Sequence, residues 1–219
     1  MPEKTCHIIG SGDFAETGLT LGPGDACLVA DGGLRYAQAL GLPVDLIVGD
    51  LDSADPSALE TAREARIPLL RLPREKDETD MLAAIRAGLE QGYRRFALYG
   101  ATGGRLSHTL ANLHCLDFLA QQGARGVVYD RAEWITLLRN GTLRFDASMR
   151  GVVSVFAYGG DASGVTLMGL KYPLDHVVLT GSFPLGVSNE FLGVPSAVAV
   201  ERGALLVCAQ RQGGSDPPF

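Results

Sequence analysis

Through the first 130 residues, short apolar runs alternate with helix-length amphipathic stretches. Cys6–Ile9, Ala26–Ala30, Asp45–Val48, Ile67–Leu70, Phe96–Tyr99 and Gly126–Tyr129 are too short for helices and predict buried strands. Between them, Leu34–Leu40, Pro56–Arg66, Asp77–Gln91 and Leu106–Gln122 predict helices. Met81, Ala84, Ile85 and Leu89 recur at helical spacing in the third of these, and Leu106, Leu110, Leu113, Leu116 and Leu119 in the fourth. Gly92 and Gly123 stand where a left-handed helix cap is expected. Strand–helix alternation of this kind predicts a mainly parallel sheet with helices on both faces.

After Asp130 the pattern changes. Glu133–Leu138 and Thr142–Phe145 flank Arg139-Asn140-Gly141, and Asn-Gly between two such runs predicts a hairpin. Val152–Tyr158, Val165–Leu167, His176–Leu179, Ala197–Glu201 and Ala204–Cys208 follow as strands, punctuated by Gly, Pro and Asp. Helical periodicity is missing from this half, so it reads as a small antiparallel sandwich or barrel. The expected organisation is an α/β domain over 1–130, an all-β domain over 131–212, and a flexible tail over 213–219.

Composition narrows the classes. With 219 residues, 46% apolar and 20% charged, the chain is too apolar for disorder. Nineteen Lys and Arg against 25 Asp and Glu give a net charge of −6, with no positive excess to attract a nucleic-acid backbone. The start, MPEKTCHIIG, has no long apolar stretch of a secretory signal, and no run approaches the roughly 20 apolar residues of a membrane span. Cys6, Cys27, Cys115 and Cys208 are far apart and sit in apolar surroundings, as free thiols of a cytoplasmic protein do.

Chemistry concentrates where strands are predicted to end. Ligands of open α/β sheets bind there. Asp31-Gly32-Gly33 closes the second strand, and Gly49-Asp50-Leu51-Asp52-Ser53 the third. Asp50 and Asp52 are two apart, so an extended backbone points both carboxylates one way, an arrangement that suits Mg²⁺. A turn needs only one Asp, and Asp55 reads as an ordinary cap for the Pro56 helix. The third helix is expected to open at Lys76-Asp77-Glu78-Thr79-Asp80. Acids suit a helix N-terminus and a lysine does not, so Lys76 reads as an anion contact, and Asp80 can complete a carboxylate cluster. Gly100-Ala101-Thr102-Gly103-Gly104-Arg105 leads from a strand straight into a helix. Glycines there let phosphate approach the backbone, helix N–H groups point at it, and Arg105 can grip it. Gly10-Ser11-Gly12-Asp13 reads as a weaker version of the same device. These residues alone predict a Mg²⁺-dependent enzyme that handles a polyphosphate.

In this order, the motifs resemble those of the thiamine pyrophosphokinase family. The segments that carry the resemblance are DGG at Asp31, PVDLIVGDLDS at Pro43–Ser53 and KDETDMLAAI at Lys76–Ile85. GATGGRLSHTLANL at Gly100–Leu113, GLKYPL at Gly169–Leu174 and VSNEF at Val187–Phe191 complete the set. The resemblance implies a Rossmann-like catalytic domain followed by a β-sandwich, assembled as a homodimer with its active site at the subunit interface. It implies transfer of the pyrophosphoryl group of ATP to the hydroxyethyl oxygen of thiamine, with release of AMP. Asp50, Asp52 and Asp80 would then hold Mg²⁺ and, with Arg105, carry catalysis. Asp31, Gly32, Lys76, Thr79, Gly103, Gly104, Arg105, Ser107 and His108 would line the nucleotide site, and Ser188 and Asn189 would bind thiamine. One position departs: the family motif GGRxDH reads Gly103-Gly104-Arg105-Leu106-Ser107-His108 here, so Ser107 replaces an acid. Two alternatives use the same residues. One is a related pyrophosphokinase acting on another heterocyclic alcohol; the other is a nucleotide- or thiamine-binding protein with impaired turnover.

Overall fold

The computed structural model describes residues 3–16, 19–50, 56–73, 75 and 77–211. The chain divides after Arg131 into two compact units. No helix among the described residues is long and apolar enough to cross a membrane.

The first unit carries a parallel sheet of β1 (Thr5–Ile9), β2 (Ala26–Ala30), β3 (Leu46–Gly49), β4 (Leu69–Arg71), β5 (Arg95–Tyr99) and β6 (Arg125–Tyr129). Their order is β4-β3-β2-β1-β5-β6, every pairing parallel. Between them run α1 (Leu34–Ala39), α2 (Pro56–Glu64), α3 (Asp80–Glu90) and α4 (Leu106–Gln121). Alternate residues of each strand face opposite sides of the sheet. Ile9, Cys27, Val29, Ala97 and Tyr99 pack with Leu34 and Ala37 of α1 and Ala58 and Ala62 of α2. On the other side α3 lies so close that a Cβ on Gly88 would meet Phe96 at 2.7 Å and Cys6 at 2.9 Å. The α4 leucines 116 and 119 crowd Gly126 of β6 in the same way. Helices therefore cover both faces, as the alternation predicts. The strand order reverses between β1 and β5, which makes the crevice between their carboxyl ends the place for a ligand.

Three details of this unit differ from expectation. α3 begins at Asp80, three residues late, because Thr79 is its N-cap: extended at φ −78° and ψ 156°, its Oγ accepts from the Leu82 N–H at 3.2 Å. β4 is exposed along its length, as an edge strand with a single sheet neighbour. In α4 the buried stripe is Asn112, Cys115, Leu116 and Leu119, whereas Leu106 and Leu110 are 71% and 51% exposed.

The second unit is antiparallel. β7 (Glu133–Phe145) and β12 (Ser196–Gln210) pair along most of their length. The first part of β12 pairs with β9 (Ala162–Met168), which pairs with β10 (Leu174–Leu179). The second part pairs with β8 (Val152–Ala157), which pairs with β11 (Gly186–Glu190). β12 thus joins two branches, β9–β10 and β8–β11, with Trp134, Phe145 and Phe191 packed in the core; the first pair has ring centroids 6.2 Å apart, the second 5.1 Å.

This overturns the expected hairpin at Arg139-Asn140-Gly141, and β12 likewise replaces two separate strands. A two-residue type I′ turn needs positive φ at both central residues. Asn140 has φ 46°, and Gly141 is not among the positive-φ residues. A single left-handed residue bends the strand without reversing it. The bend is matched across the ladder: register shifts between Val200 and Ala204, and the Gly203 N–H donates to Asn140 Oδ1 at 3.0 Å. β11, which the sequence pattern did not predict as a strand, is bulged at Ser188, whose φ is 55°.

The four cysteines are free thiols, three of them buried and Cys208 half-buried. Burial pushes the Cys27 and Cys208 thiols up to about 12 and Cys115 up to about 11, with Cys6 higher still, so thiolate chemistry is suppressed.

Candidate active site

The loops at the carboxyl ends of β1, β2, β3 and β5 are fitted together by close backbone contacts. A Cβ on Gly33 would fall 2.1 Å from the Ile9 carbonyl oxygen, and one on Gly12 would fall 2.2 Å from that of Thr102. Gly10, Gly12 and Asp13 donate their N–H groups to the carbonyls of Tyr99, Gly100 and Thr102, each at 2.8 Å. The β1–β5 pairing thus continues beyond both strand ends. This corrects the reading of Gly10–Asp13 as a phosphate loop. Three of its four amides are spent, so it is a brace for the loop beside it.

The turn after β5 is different. Gly103 and Gly104 adopt φ 79° and 59°, and no acceptor among the described residues meets the N–H groups of Gly104, Arg105, Leu106 or Ser107. Arg105 is the N-cap of α4 with no side-chain cap, which leaves the helix start open. Arg105 Nη2 contacts His108 Nε2 one turn on, and both residues are exposed, as is Ser107. The turn is pinned from below. The buried Asn112 donates to the Ala101 carbonyl at 2.7 Å, and Thr102 Oγ donates to Asp130 at 2.5 Å. Asp13 lies directly against Gly103, where a Cβ would meet its carboxyl carbon at 2.3 Å. Sequence reasoning noticed Asp13 only as part of the Gly10–Asp13 loop and missed the support that Asn112 and Asp130 give this turn. Of the two, only Asn112 left a signal, as an amide on the buried stripe of an otherwise apolar helix.

Asp31 opens a 3-10 turn over Asp31–Gly33 with φ 49°, a conformation that costs a non-glycine residue about 1 kcal/mol. Gly32 beside it is buried. Gly49, at the end of β3, brings two of the predicted acids together: a Cβ there would lie 3.2 Å from Asp31 Cα and 3.3 Å from Asp80 Oδ1. Asp80 is the first residue of α3, where its charge offsets the helix dipole, and Asp50 follows Gly49 directly. Asp52, the rest of Leu51–Asp55, and Lys76 lie outside the described residues. Among the described residues no three His, Cys, Asp or Glu side chains form a metal cluster. The acids on these loops offer oxygen donors only, the chemistry that suits Mg²⁺.

In the second unit, Ser188 is exposed and its N–H donates to Ser154 Oγ at 3.1 Å. Asn189 is buried and its amide is committed. Oδ1 accepts from the N–H groups of Tyr172 and Glu190, both at 2.9 Å, and Nδ2 donates to the Tyr172 carbonyl at 2.7 Å. It fixes the backbone that presents Tyr172, a ring 57% exposed, beside the Lys171–Glu190 ion pair at 2.8 Å.

Open helix amides, a guanidinium and carboxylates at the carboxyl ends of a parallel sheet can together hold a cation and a phosphorylated ligand. Comparison with known proteins is specific. Residues 23–128 match the thiamin pyrophosphokinase catalytic domain, and residues 141–205 match the thiamin pyrophosphokinase vitamin B1 binding domain. The thiamine pyrophosphokinase of Bacillus subtilis (strain 168) is 27% identical over 168 residues, covering 76% of this chain and 78% of that protein. A crystal structure of thiamine pyrophosphokinase from B. subtilis superposes with TM-score 0.87 at 24% identity, over 95% of this chain and 100% of that one. The enzyme from Geobacillus thermodenitrificans superposes with TM-score 0.81 at 26% identity, over 96% and 99%. The chain belongs to the thiamin pyrophosphokinase family.

Proposed function

We propose that this chain transfers the pyrophosphoryl group of ATP to the hydroxyethyl oxygen of thiamine, giving thiamine diphosphate and AMP. The observation that carries this reading is the match of both units, each to its own domain of the family. The open start of α4 supports it, since the amides there and Arg105 are placed to receive phosphate oxygens. In-line attack on the β-phosphorus spreads negative charge over those oxygens, and fixed donors that meet it lower the barrier. His108 accepts from Arg105 and so orients the guanidinium. Asn112 and the Thr102–Asp130 bond hold the turn in shape while the ligand binds. Thr79 fixes the start of α3 and with it the carboxylate of Asp80.

Asp50, Asp52 and Asp80 would hold Mg²⁺, with Asp31 nearby; the ion would neutralise phosphate charge. Lys76 would contact the phosphates. Ser188 would meet thiamine directly, and Asn189 would act through the Tyr172 backbone it fixes. A second copy of the chain supplies the thiamine side of each site. The exposed apolar residues Phe183, Leu185, Val187, Leu192 and Val194 give the all-β unit a surface for that dimer. Free thiols suit a cytoplasmic setting.

The test is a coupled assay for AMP with Mg-ATP and thiamine. AMP and thiamine diphosphate are expected in equal amounts. ADP as product, or turnover indifferent to thiamine, overturns the reading; turnover with a different heterocyclic alcohol corrects the acceptor. Ser107 motivates a second reading, binding without turnover, because a hydroxyl stands beside Arg105 and His108 where the family motif has an acid. That reading predicts tight Mg-ATP binding, no AMP, and turnover gained in Ser107→Asp.

A further inference from the structure

Arg35, in the first turn of α1, is held in a way its exposure does not explain. Its guanidinium lies over the Tyr36 ring at 4.6 Å, and Tyr36 in turn stacks on Phe14, with centroids 4.8 Å apart and planes 14° from parallel. Arg35 Nη2 donates to the Ser11 carbonyl at 3.1 Å and to the Tyr36 hydroxyl at 2.9 Å. That hydroxyl donates onward to the Gly12 carbonyl at 2.9 Å. Both hydrogens of Nη2 are therefore spent, whereas those on Nη1 and Nε meet no acceptor among the described residues. Nor does any carboxylate among the described residues pair with Arg35.

An ordinary surface arginine is mobile, and holding it in one rotamer costs side-chain entropy. Here that entropy is already lost, in a cation with a free edge. The guanidinium is anchored on Ser11, in the loop that follows β1 at the crevice where the sheet reverses. Ser11, whose carbonyl Arg35 holds, precedes Gly12, and the Gly12 N–H is bonded to Gly100 at the start of the turn that carries Arg105. A preorganised planar fork with no carboxylate partner matches the oxygen pairs of a phosphate.

We propose that Arg35 is a second guanidinium contact to the polyphosphate chain of the nucleotide, made from the β1 side of the crevice opposite Arg105. Tyr36 and Phe14 are its positioning residues. The inference rests on the reading that the site takes a nucleoside triphosphate, but not on the identity of the acceptor.

The test is calorimetric titration of the full-length protein with Mg-ATP and with adenosine, thiamine omitted. Loss of one charge-assisted contact is expected to weaken Mg-ATP binding roughly tenfold in Arg35→Ala. Adenosine affinity and thermal midpoint are expected to stay unchanged. Arg35→Lys recovers only part of the loss, since an ammonium lacks the fork. Tyr36→Phe removes the hydroxyl that Nη2 donates to and lowers Mg-ATP affinity by a smaller factor, again sparing adenosine. Unchanged Mg-ATP binding in Arg35→Ala overturns the proposal. Equal losses for Mg-ATP and adenosine with a lowered midpoint also overturn it, because Arg35 is then only a brace for Gly10–Asp13. Wild-type protein that binds Mg-ATP but makes no AMP from thiamine removes the acceptor reading alone. Wild-type protein that binds no Mg-ATP removes both.

Discussion

The loops after β1 and β5 are both glycine-rich and lie side by side at the mouth of the same crevice, yet they do opposite things with their amides. In Gly10–Asp13 three of the four N–H groups are turned sideways and consumed by Tyr99, Gly100 and Thr102. In Gly103–Ser107 they lead into α4 with no acceptor among the described residues. Glycine in the first loop makes room for a neighbouring backbone; in the second it permits left-handed conformations. A count of glycines does not separate these uses. What separates them is whether the loop is still paired as a strand or has already become a helix start.

The contrast breaks most severely at Gly12. Its Cβ space is filled by the Thr102 carbonyl, so Gly12→Ala should cost about 3 kcal/mol as overpacking, and chemical denaturation should show it. Because the brace holds the second loop, nucleotide binding should fall with it. Arg105→Ala addresses the open loop directly. Turnover should drop about 100-fold with the denaturation midpoint unchanged, as when a single donor to developing charge is removed. Gly104→Ala is milder. Nothing lies within 4 Å of its Cβ position, so only the left-handed φ of 59° is penalised, by about 1 kcal/mol in thermal melts.

The smallest effect is a pH dependence confined to the braced side. Burial lowers the His7 imidazole below its usual range and outweighs the opposing pull of Asp25, 3.3 Å away. Its other nitrogen meets the hydroxyl of Tyr99, whose carbonyl receives Gly10. Protonation is thus easier in the unfolded chain. The contribution of His7 is greatest above about pH 6.5 and declines as pH falls from there towards the lowered folded value. Asp25 adds to this at lower pH. Burial would raise its carboxyl, but the N–H groups of Thr5 and Gly22 and the His7 ring outweigh that and hold it below 3.8. Melting curves from pH 8 to 5 should therefore slope downward in the wild type and flatten in His7→Gln.

The α/β unit was legible because its strands are buried on both faces and its helices are long enough to declare a period. Errors there sit where one residue outvotes the period, as Thr79 does by capping α3 from within the acidic run. In the β unit the same reading failed at Asn140, because a hairpin and a bend both begin with a left-handed Asn, and only the following glycine distinguishes them. Site chemistry was legible in residues that stand at strand ends. It was not legible in Asp130, which meets the turn after β5 through Thr102, or in Arg35, which is held by the Ser11 carbonyl and the Tyr36 ring far away in sequence from Arg105. Asn189 was noticed for its position, while its commitment to Tyr172 could be seen only in three dimensions.

The shared strand β12 has a bearing on the order of events during synthesis. Within the α/β sheet all partners are in place by residue 129; most strands pair with a near neighbour in sequence, while β1 waits for β5, about 90 positions downstream. In the β unit β9 and β10 pair locally, but the central ladders all run through β12, the last strand. β7 waits for residues 196–210, some 60 positions downstream, and β8 and β9 need the same segment. Until then β7, β8 and β9 each keep an unpaired edge. A bent strand that ties two branches of the β unit together is thus the reason this half cannot close until residues 196–210 have been made.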